Sequence, residues 1–326
     1  MKSPSLHDLQ ASVQDPSAFA TLDDYFTITS AFLNLLRAER PTRIVSPSSP
    51  HYVFYQYTNE HANRITRPLN TQLFTESTSA FERYCDAFRS LITRLAKFKR
   101  SLRDDPCYKK LAAQRVISSV VYTVQQSLGC VGDSFENQNQ SRKRIGQLFE
   151  NLVAVIIRTL GIHCEPRTIN LPIPGYPGYQ MSYELDLVFS RKKAILSSET
   201  KYIHASEVVG SVKTTSKDRI DKVFLDKYLL TKLLGREIPV IAVFLHDVQR
   251  ARKGNSIFGI NSTFKSNHFL GYTVALNRLD GVYYVDPRPE MLTSQRLKTQ
   301  IADFERFVVH DLWTLTSLLS PCNLGE

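Results

Sequence analysis

The chain has 326 residues, 42% of them apolar, and its 41 Lys and Arg outnumber 31 Asp and Glu for a net charge of +10. That length allows one large domain or a core with an appended subdomain, and that apolar share excludes a disordered tail. The positive balance favours a polyanionic partner, of which nucleic acid is the commonest, over a basic protein with no special partner.

The N-terminal segment MKSPSLHDLQASVQD carries no apolar signal core, and no apolar run long enough to cross a bilayer follows. Neither secretion nor membrane insertion is expected, and a cytoplasmic location is. Five scattered cysteines (Cys85, Cys107, Cys130, Cys164, Cys322) form no CxxC pair. This speaks against a disulfide framework or a zinc site and fits a reducing compartment.

Residues 1–135 read as a helical N-terminal subdomain. Helices are expected over Tyr25–Leu36, Phe81–Arg103 and Lys109–Leu128, with Gly129 as a stop. Between the first two, a Ser/Pro-rich stretch leads into HYVFYQYTNEHANRITRPLN. Its Tyr52, Phe54, Tyr55 and Tyr57 could stack on bases, with Arg64 and Arg67 touching phosphates. The competing reading is a hairpin that packs those rings inward.

Residues 136–326 read as an α/β core. Apolar residues from Ile145 to Leu160 recur at helical spacing in a helix over Arg142–Leu160, with Ser141 as its cap and Gly161 as its close. Glu150 lies at the border of that stripe. Strands are expected at Met181–Ser190, Ala194–Tyr202, Glu207–Thr215, Ile238–Leu245, Tyr272–Leu276 and Gly281–Val285. Helices are expected over Asp218–Leu234 and most of Ser294–Leu319. Residues 250–255 read as a basic loop, His246-Asp247 as a polar strand end, and Trp313 as core. Strands and helices interleaved around a wholly apolar strand indicate a mixed central sheet flanked by helices.

The densest chemistry lies at Ser211-Val212-Lys213-Thr214-Thr215-Ser216-Lys217-Asp218-Arg219, followed by Asp226. Phosphodiester hydrolysis uses a divalent cation such as Mg²⁺ on one or two carboxylates, with a lysine near the attacked phosphate. Two assemblies meet that demand. One joins Asp186, Lys213 and Asp226, with Glu150 from the preceding helix. The other joins Asp186 to Glu199 and Lys201 on a returning strand, a short pattern that a solvated strand face explains equally well.

The first assembly resembles the SsoII/EcoRII/NgoMIV-like branch of type II restriction endonucleases, of the PD-(D/E)XK fold. In that branch a small residue replaces the acid before the lysine, as in Ser211-Val212-Lys213, and the metal-binding acid moves to the next helix. The family usually has Glu there and this chain has Asp226. SRKRIGQLFEN is similar to the family's helix bearing an active-site glutamate, which falls on Glu150. The likeness covers about residues 141–230.

The resemblance implies a restriction-endonuclease-like core in a homodimer that cuts double-stranded DNA with Mg²⁺. Asp186 and Asp226 would bind metal, Glu150 would support the attacking water, and Lys213 would stabilise the attacked phosphate. Lys217, Asp218 and Arg219 would read a CC/GG half-site of CCNGG type. Side-chain chemistry agrees, since Arg and Lys donate to guanine and Asp accepts from cytosine. Cations in a first helical turn also oppose the helix dipole, a local conflict that favours a role in binding. The alternatives are a structure-specific repair or junction nuclease on the same fold and a DNA-binding protein without catalysis.

Overall fold

The computed structural model describes residues 5–57, 64–192, 203–217 and 219–318. Helices α1 (Leu6–Gln14) and α2 (Leu22–Glu39) each open on a capping box, in which Ser5 and Thr21 exchange hydrogen bonds with Asp8 and Asp24. Three short antiparallel strands follow in the order β1 (Thr42–Val45), β2 (Tyr52–Gln56) and β3 (Leu69–Asn70). Then come α3 (Thr78–Phe98), α4 (Pro106–Ala113), α5 (Val116–Gly132) and α6 (Gln138–Thr159).

The second half begins with β4 (His163–Pro172), β5 (Gln180–Ser190), β6 (Val208–Thr215), α7 (Ile220–Leu234) and β7 (Val240–His246). A hairpin of β8 (Val248–Lys253) and β9 (Ser256–Ser262) precedes α8 (Ser266–Ala275), β10 (Gly281–Tyr284), α9 (Pro289–Thr293) and β11 (Ile301–Asp303). The final helical run is α10 (Phe304–Arg306), a π-helical turn (Phe307–Asp311) and α11 (Leu312–Leu318). No helix among the described residues is long and apolar enough to cross a membrane.

Contacts divide the chain into two compact units. One comprises Met1–Leu91, Lys110–Val155 and Asp247–Thr263; the other comprises Ile92–Lys109, Ile156–His246 and Phe264–Glu326. In the first unit α5 is buried along its whole length. The Arg67 guanidinium lies against Gly129, where any Cβ would collide with it, and donates to Asp133 at 2.9 and 3.1 Å. Gly129 therefore sits inside a helix to admit an arginine rather than to stop it. The expected single helix over Lys109–Leu128 is two, because Arg115 adopts a left-handed conformation (φ 50°) between α4 and α5. Ser141 does not cap α6. Asn137 does, through the N–H groups of Asn139 and Gln140, and Ser141 Oγ donates to the Gly132 carbonyl instead. The basic segment 250–255 is the turn of the β8–β9 hairpin and its flanks, not a free loop.

The second unit carries a six-stranded mixed sheet in the order β11-β10-β7-β6-β5-β4. Strands β6, β7, β10 and β11 run parallel, and β5 and β4 complete the sheet antiparallel. The apolar run of β7 lies at the centre and is buried almost throughout. Val223, Phe224 and Leu230 of α7 and Phe269 of α8 cover Leu185, Val188, Val209, Ala242, Phe244 and Tyr284 of the sheet. Tyr272–Leu276, expected as a strand, belongs to α8 and the residue after it, and Tyr272 packs against Phe224 at 5.9 Å. Residues 294–303 form a turn and β11, so the C-terminal helix begins only at Phe304.

One irregularity positions the site. Glu165 pairs with Val188 and Arg167 with Leu185, so β5 spends one more residue than β4 between those pairs. The extra residue falls at Asp186-Leu187, opposite Pro166, which has no N–H to give the ladder. Leu185 and Val188, three apart, consequently enter the same core, where a regular strand would send them to opposite faces.

Candidate active site

Strands β5 and β6 pair only from Phe189↔Val208 to Leu187↔Gly210. Beyond that point β6 runs on to Thr215 while β5, read backwards, runs on beside β4. The two form a fork, and Asp186 lies where it opens. The Val212 N–H, which would otherwise face an unpaired strand edge, donates to Asp186 Oδ2 at 2.9 Å. Ser211 Oγ donates to the same oxygen at 3.2 Å and Lys213 Nζ at 2.6 Å. Three donors thus fix one carboxylate oxygen, and Oδ1 has no partner among the described residues. The Lys213 and Asp186 side chains keep 29% and 17% of their surface open to solvent. This is a charge-assisted hydrogen bond with one side left for a ligand.

Asp226 stands on α7. Its carboxylate takes a hydrogen bond from Lys222 Nζ at 2.6 Å. Burial and then the Asp226 charge raise the phenol of Tyr183, a residue of the strand that bears Asp186, above its ordinary pKa. Glu150 is half-buried in the part of α6 that belongs to the other compact unit. Glu199, Lys201 and Asp218 lie outside the described residues.

Lys217 and Arg219 flank the start of α7, exposed and without side-chain partners among the described residues. Arg219 is the N-cap residue and supplies no side-chain cap. Two cations stand at the positive end of a helix, where a carboxylate or hydroxyl would stabilise it. On the adjacent parallel strand His246 is level with Thr215, as Phe244 is with Lys213. The exposed end of the sheet is therefore lined by Lys213, Thr215 and His246 and fringed by Lys217 and Arg219.

The aromatic segment resolves toward its packing alternative. Phe54 and Tyr55 are buried in β2, and Phe54 meets Phe258 edge-on at 5.6 Å. Neither ring is presented for stacking, while Tyr52 and Tyr57 are half-buried. Trp313 is buried, as expected. Sequence reasoning missed the backbone donor at Val212 and the bulge that aims Asp186. Pro166 opposite the acid was the available signal for the bulge.

Among the described residues no group of three or more His, Cys, Asp or Glu side chains is placed to hold a metal ion. Mg²⁺ asks for less, since one or two carboxylates suffice and water and phosphate oxygens complete its shell. Asp186, with one oxygen fixed and the other open, fits that requirement.

No protein-family model matches the chain, and no curated protein does. Among solved structures it is similar to the type IIP restriction endonuclease Kpn2I, with a TM-score of 0.68 and 14% identity over 96% of this chain and 98% of that one. A complex of the restriction endonuclease PspGI with substrate DNA superposes at a TM-score of 0.40, with 13% identity over 73% of this chain and 92% of that one. The second overlap is too loose to argue from. The first is a likeness of fold across nearly the whole of both chains, and the central mixed sheet flanked by helices is its shared feature.

Proposed function

We propose that the protein is a Mg²⁺-dependent, type II site-specific deoxyribonuclease acting on double-stranded DNA. The observation that carries this reading is the fork, where Lys213 and Asp186 meet at 2.6 Å beside exposed Lys217 and Arg219. An acid with an open oxygen, a lysine and two cations that have no side-chain partner among the described residues form, at one sheet end, a site for a phosphodiester between base pairs. The fold shared with Kpn2I supports it.

In this reading Asp186 and Asp226 hold the cation, which when bound polarises the phosphate and activates water. Lys213 stabilises charge on the attacked phosphate, and its hydrogen bond to Asp186 keeps the ammonium aimed before substrate arrives. Glu150 supports the attacking water. Lys217, Asp218 and Arg219 read guanine and cytosine edges of a CC/GG half-site in the major groove, within a palindrome of CCNGG type. A homodimer matches such a palindrome and brings one fork to each strand.

The test is a plasmid digest with Mg²⁺, followed by sequencing of the fragment ends. Discrete fragments whose ends share one palindrome are expected. Random ends, or ends placed by junctions rather than sequence, would overturn site specificity. Tight retardation of DNA with no cutting would leave a binding protein.

A further inference from the structure

The linker between β4 and β5 reads Ile173-Pro174-Gly175-Tyr176-Pro177-Gly178-Tyr179, a Pro-Gly-Tyr unit written twice. Tyr176 N–H donates to the Ile173 carbonyl and Tyr179 N–H to the Tyr176 carbonyl, both at 3.1 Å. Each bond closes a four-residue turn with Pro second and Gly third. Gly175 (φ 81°) and Gly178 (φ 85°) supply the left-handed third position that such a turn requires. Ile173 N–H to the Tyr179 carbonyl (3.0 Å) then ties the two ends together. Tandem turns deliver a tyrosine at each exit, and these rings are 65% and 69% exposed. Proline and the closed hydrogen bonds fix the tip in advance, so little freedom is lost when it binds something.

The tip overhangs the candidate site. The β4–β5 ladder continues to Pro172↔Gln180, long after the β5–β6 ladder has stopped at Leu187↔Gly210. Since β5 is antiparallel to β6, this overhang runs the way β6 runs as it delivers Lys213, Lys217 and Arg219. The ribbon is anchored, because Ile169, Leu171, Tyr183 and Leu185 join the core under α7. From Asp186 to Tyr179 the strand spans about 23 Å at about 3.3 Å per residue. That reach equals about seven base-pair steps of a duplex. No charged residue occurs from Ile173 to Met181, so the tip is suited to sugars and base edges rather than to phosphates. A second copy of the chain is a poor occupant. Two tyrosines bury about 150–250 Å² each, far short of the about 1,200–2,000 Å² of a stable interface.

We infer that Tyr176 and Tyr179 form a preorganised contact for substrate DNA flanking the cleaved core. This rests on the nuclease reading. The experiment compares the protein with Tyr176→Ser/Tyr179→Ser and Tyr176→Phe/Tyr179→Phe. Substrates are a long single-site duplex and a short one ending just outside the site. On the long duplex the serine pair raises KM at least about tenfold with kcat kept, as loss of two large apolar ring contacts predicts. The phenylalanine pair behaves as the parent, and all three proteins share one KM on the short duplex. Equal KM for parent and serine pair on the long duplex overturns the inference, as does a change in oligomeric state by light scattering. Should the parent not cut at all, the nuclease reading fails by itself. Anisotropy of the labelled long duplex then decides the tip, with equal Kd for parent and serine pair overturning it.

Discussion

Two ion pairs in the same sheet differ in a way that separates architecture from chemistry. Arg167 and Glu207 have side chains only 1% and 2% exposed and meet through two contacts at 2.7 and 2.8 Å. Glu165 accepts from the same guanidinium at 2.8 Å, and the His204 N–H donates to Glu207 at 2.7 Å. Burial works to lower the Arg167 pKa, yet the hydrogen bonds to Glu207 and Glu165 prevail and raise it. Lys213 and Asp186 form an equally short contact, but with one carboxylate oxygen free of partners among the described residues and with solvent at hand. A buried pair whose carboxylate has a partner on each oxygen has nothing left to offer a ligand. A pair left open does.

The closed pair gives the largest expected effect. Arg167→Ala leaves Glu207 charged and buried without its partner, at a cost of about 3–5 kcal/mol. Thermal melting should fall by many degrees. A melt within a degree of the parent would show that water reaches Glu207 and that the pair is not closed.

Lys213→Ala is the mirror case. Its neighbours keep water, so the melt should barely move. Loss of one preorganised donor at a developing charge is worth about 10²–10³ in rate, and cleavage should fall by at least that much while specific binding survives. Lys201→Ala should cut normally. If Lys201→Ala failed and Lys213→Ala cut, the Glu199–Lys201 assembly would take over the chemistry. Between these extremes, Arg219→Ala should cost about 1–3 kcal/mol of discrimination at one base pair. Relative cleavage of single-pair site variants measures it, and an unchanged ranking would remove Arg219 from readout.

Regions where one local rule dominates were legible in the sequence. Helix α6 and strand β7 announce themselves by apolar period and apolar run, Asp186 as an acid in an alternating strand, and Lys213 by the dense charged cluster that follows it. Elements hidden from that reading share a physical cause, namely that tertiary contact overrode the local signal. Strand β4 contains Pro166 and Pro172, which read as breakers, yet Pro166 sits opposite the bulge where no N–H is needed. Tyr272–Leu276 has strand-like residues but is held helical by packing on Phe224. Gly129 reads as a stop and instead accommodates Arg67. Tyr52 and Phe54 share one face of β2 by strand alternation, and nothing in a sequence says that Phe258 will cover Phe54. The Val212 N–H on Asp186 is backbone, so no residue type could advertise it.

The smallest expected effect concerns Lys222 and Asp226, a third pair that falls between the other two. Their side chains are four apart on α7, with Lys222 largely exposed. A helical pair at that spacing contributes about 0.3–0.5 kcal/mol, and the lysine-first orientation is the weaker one against the helix dipole. Lys222→Ala should therefore leave the melt almost unchanged. Its value lies in what it separates. If Asp226 holds the cation, Asp226→Ala should lower cleavage and shift the Mg²⁺ requirement upward. Lys222→Ala, which only removes a competitor for the carboxylate, should leave the rate intact and shift that requirement slightly downward. A Mg²⁺ titration of cleavage on all three proteins reads both shifts. Coincident curves would place Asp226 with Arg167 among the residues that build the fold, leaving Asp186 as the one metal-binding carboxylate of this reading among the described residues.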